Sequence, residues 1–252
     1  MKSSGRWPAR LLILIVIVVL SVAAAPTADA RGKRPKPPPP STTTYAPGID
    51  VSHWQGTINW SQVAGAGKKF VFLKASEGRN YTDPTYASNR SAAKAAGVLT
   101  GAYHFARPET VAGDAVGEAR VFVAAAALGG TDLLPVLDIE VNGGLGATAL
   151  QQWVREWLDE VYRLTGRRAI IYTGPSFWTN SMGNTQTIAQ AGYTKLWIAH
   201  WGVSSPTVPA NNWAGYGWSF WQHSSTGSVP GISGNVDLDR AKSTDLTPYL
   251  YG

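Results

Sequence analysis

The residues most able to do chemistry close one apolar run, Leu133-Leu134-Pro135-Val136-Leu137-Asp138-Ile139-Glu140, which Asn142-Gly143-Gly144 follows. The run reads as a buried β-strand. Side chains in a strand alternate between faces, so Asp138 and Glu140 share one face with Val136, while Leu137 and Ile139 take the other. Two carboxyls on one face of an apolar strand are expensive unless they are paired or used. Held close, they push each other's pKa apart and separate a proton donor from an anion, the division of labour of glycoside hydrolysis. A strand that merely surfaces with two solvated acids fits the same eight residues, so the wider chain has to decide.

Further strand-like runs lie at 48–51, 70–73, 98–103, 169–172, 196–199, 218–222 and 236–238, making eight with 133–140. Helical patterns separate the earlier ones, at about 59–66, 84–96, 113–128 and 147–165, with a shorter one from Pro175 to about Met182. Asp83-Pro84 reads as an N-cap followed by proline at the first helical position. In 147–165, Trp153, Val154, Trp157, Leu158, Val161 and Leu164 recur at helical spacing until Gly166 ends the pattern. Strands alternating with helices imply a parallel sheet, and eight strands over about 200 residues imply a closed α/β barrel with an irregular last third. Chemistry in such barrels sits at the C-terminal ends of the strands. Asp50 falls in the first strand, Asp138 and Glu140 at the end of the fourth, and Asp237 and Asp239 in the eighth, which closes beside the first. Carboxylates on three separate strands weigh against the solvated-acid reading.

The chain has 252 residues, 44% of them apolar, and no Cys, so neither disulfides nor thiolate chemistry are available. Of its 22 basic residues, seven lie in the first 44 positions with a single acid, Asp29; the remaining 15 basic and 15 acidic residues balance, which disfavours a nucleic-acid-binding domain. Lys2, Arg6 and Arg10 precede an apolar run from Leu11 and an Ala28-Asp29-Ala30 site, so residues 1–30 read as a secretory signal peptide. Residues 31–44, basic and rich in proline, read as an extended tether, an inert spacer or, more weakly, an anchor to an anionic wall. Residues 45–252 form the barrel. The expected product is a secreted, monomeric protein, off the membrane once the signal is cleaved.

In order along the chain, Gly-Ile-Asp-Val-Ser-His-Trp-Gln (48–55), Phe-Leu-Lys-Ala-Ser-Glu-Gly (72–78), Gly-Ala-Tyr-His-Phe-Ala-Arg-Pro (101–108), Pro-Val-Leu-Asp-Ile-Glu (135–140), Ile-Ile-Tyr-Thr-Gly (170–174), Leu-Trp-Ile-Ala (196–199), Phe-Trp-Gln (220–222) and Gly-Asn-Val-Asp-Leu-Asp (234–239) resemble glycoside hydrolase family 25, the Chalaropsis-type lysozymes. Each motif alone is weak; eight in register are specific. The resemblance covers about 46–242 and implies a modified barrel of five β/α units followed by three strands. It implies hydrolysis of the β-1,4 bond between N-acetylmuramic acid and N-acetylglucosamine in peptidoglycan. Carried over, Glu140 is the proton donor, Asp138 its companion, and Asp50 and Asp237 complete an acidic floor, with Asp239 structural. Asp138 either orients the substrate's 2-acetamido group or activates water.

Tyr103, Tyr172, Trp201 and Trp221 stand at or near strand ends, where they would stack on sugars or simply pack; Gln222 is a candidate substrate hydrogen-bonding group. His104 reads as a bonded core histidine, and Lys74 and Glu77 as a supporting pair. His53, His200 and His223 are too scattered for a metal site, and no nucleotide fingerprint occurs, so no metal or cofactor is expected. Two other readings remain: a chitinase-like hydrolase, which shares the Asp-x-Glu strand end but has a longer Asp-rich run, and a non-catalytic peptidoglycan-binding barrel, which would have no need of four acids.

Overall fold

The computed structural model describes residues 44–252. The signal peptide and tether expected at 1–44 lie, but for Thr44, outside the described residues. Strands β1 (Ala46–Val51), β2 (Phe70–Glu77), β4 (Leu99–Phe105), β5 (Val136–Asp138), β6 (Ile170–Thr173), β7 (Leu196–Ala199), β8 (Phe220–Gly227) and β9 (Val236–Ala241) close into a barrel, and the two-residue β3 (Tyr81–Thr82) pairs with the end of β2. Around the ring the order is β1-β9-β8-β7-β6-β5-β4-β2, with β1 and β2 completing the circle. All neighbours run parallel except β9, which is antiparallel to both β8 and β1. Five β/α units come first, built with α1 (Trp60–Gly65), α2 (Tyr86–Ala95), α3 (Asp114–Ala126), α4 (Ala147–Thr165) and the short α5 (Pro175–Asn180) and α6 (Thr187–Gln190). β7, β8 and β9 follow without full helices, so the expected architecture and all eight barrel strands are present.

Alternation along the strands builds two cores. Phe70, Phe72, Val136, Ile170, Trp197 and Phe220 fill the barrel, while Leu137, Ile139, Ile171 and Ile198 face the helices. The barrel is filled tightly: a Cβ on Gly48 would stand 2.3 Å from the Phe70 ring, and one on Gly101 2.6 Å from Phe72. Helix α4 presents Trp153, Val154, Trp157, Leu158 and Val161 to this outer core and ends on Gly166 in the left-handed region, at φ 69°.

Two local expectations change, and one turn was not foreseen. The 133–140 run is a strand only from Val136 to Asp138: Pro135 has no N–H to give the ladder, and Leu133 instead makes a single bridge to Leu250. Glu140 therefore stands beyond the strand end. Helix α2 starts at Tyr86 rather than Pro84, because Asp83 Oδ1 accepts from the Thr85 N–H (2.9 Å) and Oγ1 (2.7 Å), a turn that competes with the helix. Between β7 and β8, Ala210 to Ala214 form one left-handed helical turn with φ of 51–55°. Such residues are disfavoured by about 1–2 kcal/mol each. Trp213 holds the turn in place, buried against Trp178 with its indole N–H donating to Tyr193 O at 3.0 Å.

Candidate active site

The C-terminal ends of the parallel strands surround a cavity of about 230 Å³, lined among others by Asp50, Asp138, Glu140 and Asp237. The four acids expected on three strands thus meet in one cleft. Asp50 comes from β1, directly across the β1–β9 ladder from Asp237. Asp138 ends β5 beside Tyr172 of β6, and Glu140 follows at the rim, exposed. Larger hollows, of about 830, 600, 330 and 310 Å³, hold none of these acids.

Burial dominates the electrostatics. It pushes the carboxyl of Asp138 well above the ordinary range, and the charge of Glu140 adds to the shift; Oδ1 of Asp138 has no hydrogen-bond partner among the described residues. Desolvation of its carboxyl also raises Glu140, with Asp237 adding to the shift and a hydrogen bond with Asp138 opposing it. Asp50 is raised well above its usual value by burial, then by Asp239 and Asp237, and burial raises Asp237 as well. Asp239, behind Asp50, is 1% exposed and accepts from Trp197 Nε1 at 2.9 Å; burial carries it up to about 8. Like charges facing each other across a ladder repel, so this cluster retains protons that isolated carboxyls would lose.

Among the described residues the only cation lining the cleft is Lys74, paired with Glu77 and lying 4.9 Å from the Phe105 ring centre. Gln222 is the hub of the neutral polar groups. Its Oε1 accepts from Tyr172 OH (3.0 Å) and from Trp201 Nε1 (2.9 Å), and its Nε2 donates to Asp50 Oδ2 at 2.7 Å. An indole N–H can only donate, which fixes the amide orientation and aims its N–H at Asp50. Burial raises Tyr103 and Tyr172 well above the phenol range, so both remain neutral donors.

Of the expected aromatic contacts, Tyr103 and Tyr172 line the cleft, and Trp201, 51% exposed, reaches it through Gln222. Trp221 does not. It is buried on the outward face of β8 and donates to His200 O at 2.8 Å, so the expectation of a sugar contact there is corrected. His104 is fully buried between Ser76 Oγ (2.8 Å) and Glu118 Oε2 (2.7 Å), a core histidine as expected. Trp54, which the sequence reading gave no role, lines the cleft and is 80% exposed, on the 53–55 turn that Ser52 and Gln55 cap reciprocally. Trp197 lines the floor. Among the described residues no group of three or more His, Asp or Glu side chains is arranged to hold a metal ion.

Residues 49–232 match the model of the family described as glycosyl hydrolases family 25. Lysozyme M1 of Streptomyces globisporus is 42% identical over 207 residues, covering 79% of this chain and 68% of the relative. The N,O-diacetylmuramidase of Chalaropsis sp is 32% identical over 210 residues, covering 75% of this chain and 95% of that protein. Among solved structures, the bacterial lysozyme from Streptomyces coelicolor superposes with a TM-score of 0.73 at 39% identity, covering 83% of this chain and 96% of that one.

Proposed function

Because this chain belongs to glycosyl hydrolases family 25, we propose that it is a lysozyme cutting the β-1,4 bond between N-acetylmuramic acid and N-acetylglucosamine, with Glu140 as general acid and Asp138 assisting. Relatives named lysozyme and N,O-diacetylmuramidase support hydrolysis of peptidoglycan. The observation that carries the residue assignment is the pairing of Asp138 and Glu140, carboxyl to carboxyl, in a cleft that raises both. Such a pair titrates as a unit and holds one proton where separate acids would hold none. The proton that the pair holds passes to the leaving oxygen through Glu140, at the rim, and the negative charge left behind is shared across the pair.

Carboxyls in mutual contact leave no room for the water that inverting enzymes hold between acids about 6.5–9.5 Å apart. The reading that follows is substrate assistance. Asp138, which lines the cleft, accepts the N–H of the sugar's 2-acetamido group and turns its carbonyl oxygen onto the anomeric carbon, so the configuration is retained. Asp50, held in position by Gln222, and Asp237 share the negative charge that their proton-retaining cluster keeps beneath the developing oxocarbenium. Trp54 and Trp201, exposed on either side of the cleft, offer ring faces to neighbouring sugars.

Residues 1–30 act in this proposal as an export signal and 31–44 as a tether, delivering a monomeric barrel to peptidoglycan with no role for nucleic acid. Among the described residues no helix is long and apolar enough to cross a membrane. Analysis of the reducing ends released from purified peptidoglycan tests the activity. Muramic acid ends are expected; glucosamine ends would replace the muramidase reading with a glucosaminidase one.

A further inference from the structure

The balance of charge after residue 44 conceals a segregation. Seven of the fifteen cations there pair with a carboxylate. Among the described residues the other eight have no such partner. Of these, Arg79 alone follows the C-terminal end of a parallel strand, near the catalytic mouth. The other seven stand at the opposite end of the barrel. Lys68 and Lys69 immediately precede β2, Arg167 and Arg168 precede β6, and Lys195 precedes β7; Arg240 and Lys242 end β9, which runs the other way.

In ring order these strand ends form one continuous arc, from β2 through β1, β9, β8 and β7 to β6. Five strand spacings give it a length of about 24 Å. The arc stops at β5 and β4, where Asp132 is occupied by Arg90 (2.5 Å) and Lys94 (2.7 Å). Among the described residues, the exposed acid on it without an ion pair is Asp245, beside Lys69; Asp239, next to Arg240, is buried inside the barrel.

Aromatic rings seat most of these cations. Arg168 lies 4.9 Å from the Tyr162 ring centre and 5.2 Å from Tyr193; Lys195 lies 5.3 Å from Tyr249, Arg167 5.8 Å from Tyr251, and Lys242 5.6 Å from Trp218. A ring beneath the stem restricts a cation without neutralising it, leaving the charge available to an external anion.

We propose that this arc binds a phosphodiester polymer attached to the cell wall, holding the enzyme by the face opposite its catalytic mouth. The proposal rests on the peptidoglycan reading only for where the partner is found. A run of about 24 Å is too long for one small anion and suits a chain whose charges repeat. Exposed rings at this end, Tyr162 and Tyr45, are covered by Arg168 and Arg240 rather than left as bare apolar anchors, which favours a polymer over a lipid surface. Attachment at the far end of the barrel leaves the cleft facing the glycan.

The test is co-sedimentation of the Glu140→Gln protein, which should leave walls undigested, with purified walls rich in phosphodiester polymer and with the same walls stripped by hydrofluoric acid. Binding to intact walls is expected to exceed binding to stripped walls about tenfold at low salt and to fade as salt rises. Adding Arg167→Gln, Arg168→Gln, Lys195→Gln and Lys242→Gln should abolish most of that difference. The same four changes in the otherwise unaltered enzyme should leave the rate on soluble wall fragments unchanged. If the combined variant fails to fold, Arg167→Gln and Lys242→Gln singly should each lower binding. Equal binding to stripped walls, or no loss in the variants, overturns the proposal. So does equally tight binding to duplex DNA or to anionic lipid vesicles, which would make the arc a general polyanion surface. Binding is read without turnover, so an error in the assigned bond cannot imitate either result.

Discussion

Two buried sets of carboxylates in this barrel differ in everything but burial. At the foot of the barrel, Asp132 is fully buried and every demand is met: Arg90 and Lys94 pair with it, Thr100 Oγ1 donates at 2.7 Å, and the Gly129 N–H donates at 3.1 Å. Burial alone would raise its pKa, but those donors outweigh it and hold the carboxyl below the usual range. At the mouth, Asp138 and Asp239 each leave a buried oxygen without a partner, and Asp50 faces other acids. Their pKa values go up. The first set is charged and structural. The second is under-paired at the expense of stability, and such sites are where function is found.

The contrast can be broken most directly at Glu140. Glu140→Gln keeps the shape and removes the proton, so lysis of purified walls should fall by about 10²–10⁴-fold with the melting temperature nearly unchanged. Comparable turbidity loss by the variant would remove Glu140 from the mechanism. At the structural end, Asp132→Ala should leave the pH–rate profile alone and lower stability by about 2–4 kcal/mol, since Arg90 and Lys94 can turn to water but Thr100 and Gly129 lose their acceptor. The lowered pKa sets the sign: this stabilisation is present above the ordinary carboxylate pKa and is lost as pH falls through the depressed one. Denaturant melts showing a constant penalty down to about pH 2 would contradict that.

The sequence reading was good wherever one periodicity governed and poor where local geometry did. Every barrel strand was marked by a strand-like run, and helix α4 by its stripe and Gly166, because burial selects their apolar residues directly. Trp221 was misjudged although the strand was right. Trp221 and Gln222 are consecutive, alternation allows only one of them to face the barrel, and Gln222 is that one. The same rule puts Asp237 and Asp239 on one side together. Trp54 was missed because a 3-10 turn capped by Ser52 and Gln55 carries no hydrophobic period. The left-handed turn at 210–214 was equally hidden: Asn211 and Asn212 tolerate it, but nothing in Trp213 announces it.

Asp239 sharpens the comparison on a smaller scale. Its folded pKa is raised to about 8, against an unfolded value near about 4. Its contribution is therefore fully present below the unfolded value and is lost as pH climbs towards about 8. Asp239→Asn keeps an acceptor for the Trp197 indole and cannot ionise, so its melting temperature should match the wild type in acid and exceed it by a few degrees at about pH 8–9. A variant that tracks the wild type at every pH would mean that Asp239 ionises freely in the fold.

The smallest effect is expected where a carboxylate is paired but not buried. Arg155 and Asp159 meet at 2.7 Å one turn apart on α4, with side chains 46% and 49% exposed. The distance is as short as those around Asp132, yet water solvates both partners whether or not they meet, so little is gained by the contact. Arg155→Ala should change stability by less than about 0.5 kcal/mol, a shift of about 1–2 °C or less, and added salt should reduce even that. Asp159 would still accept from Tyr193 OH at 2.7 Å, so no buried group loses its partner. A loss as large as that of Asp132→Ala would mean that short geometry, rather than desolvation, separates the structural carboxylates from the rest.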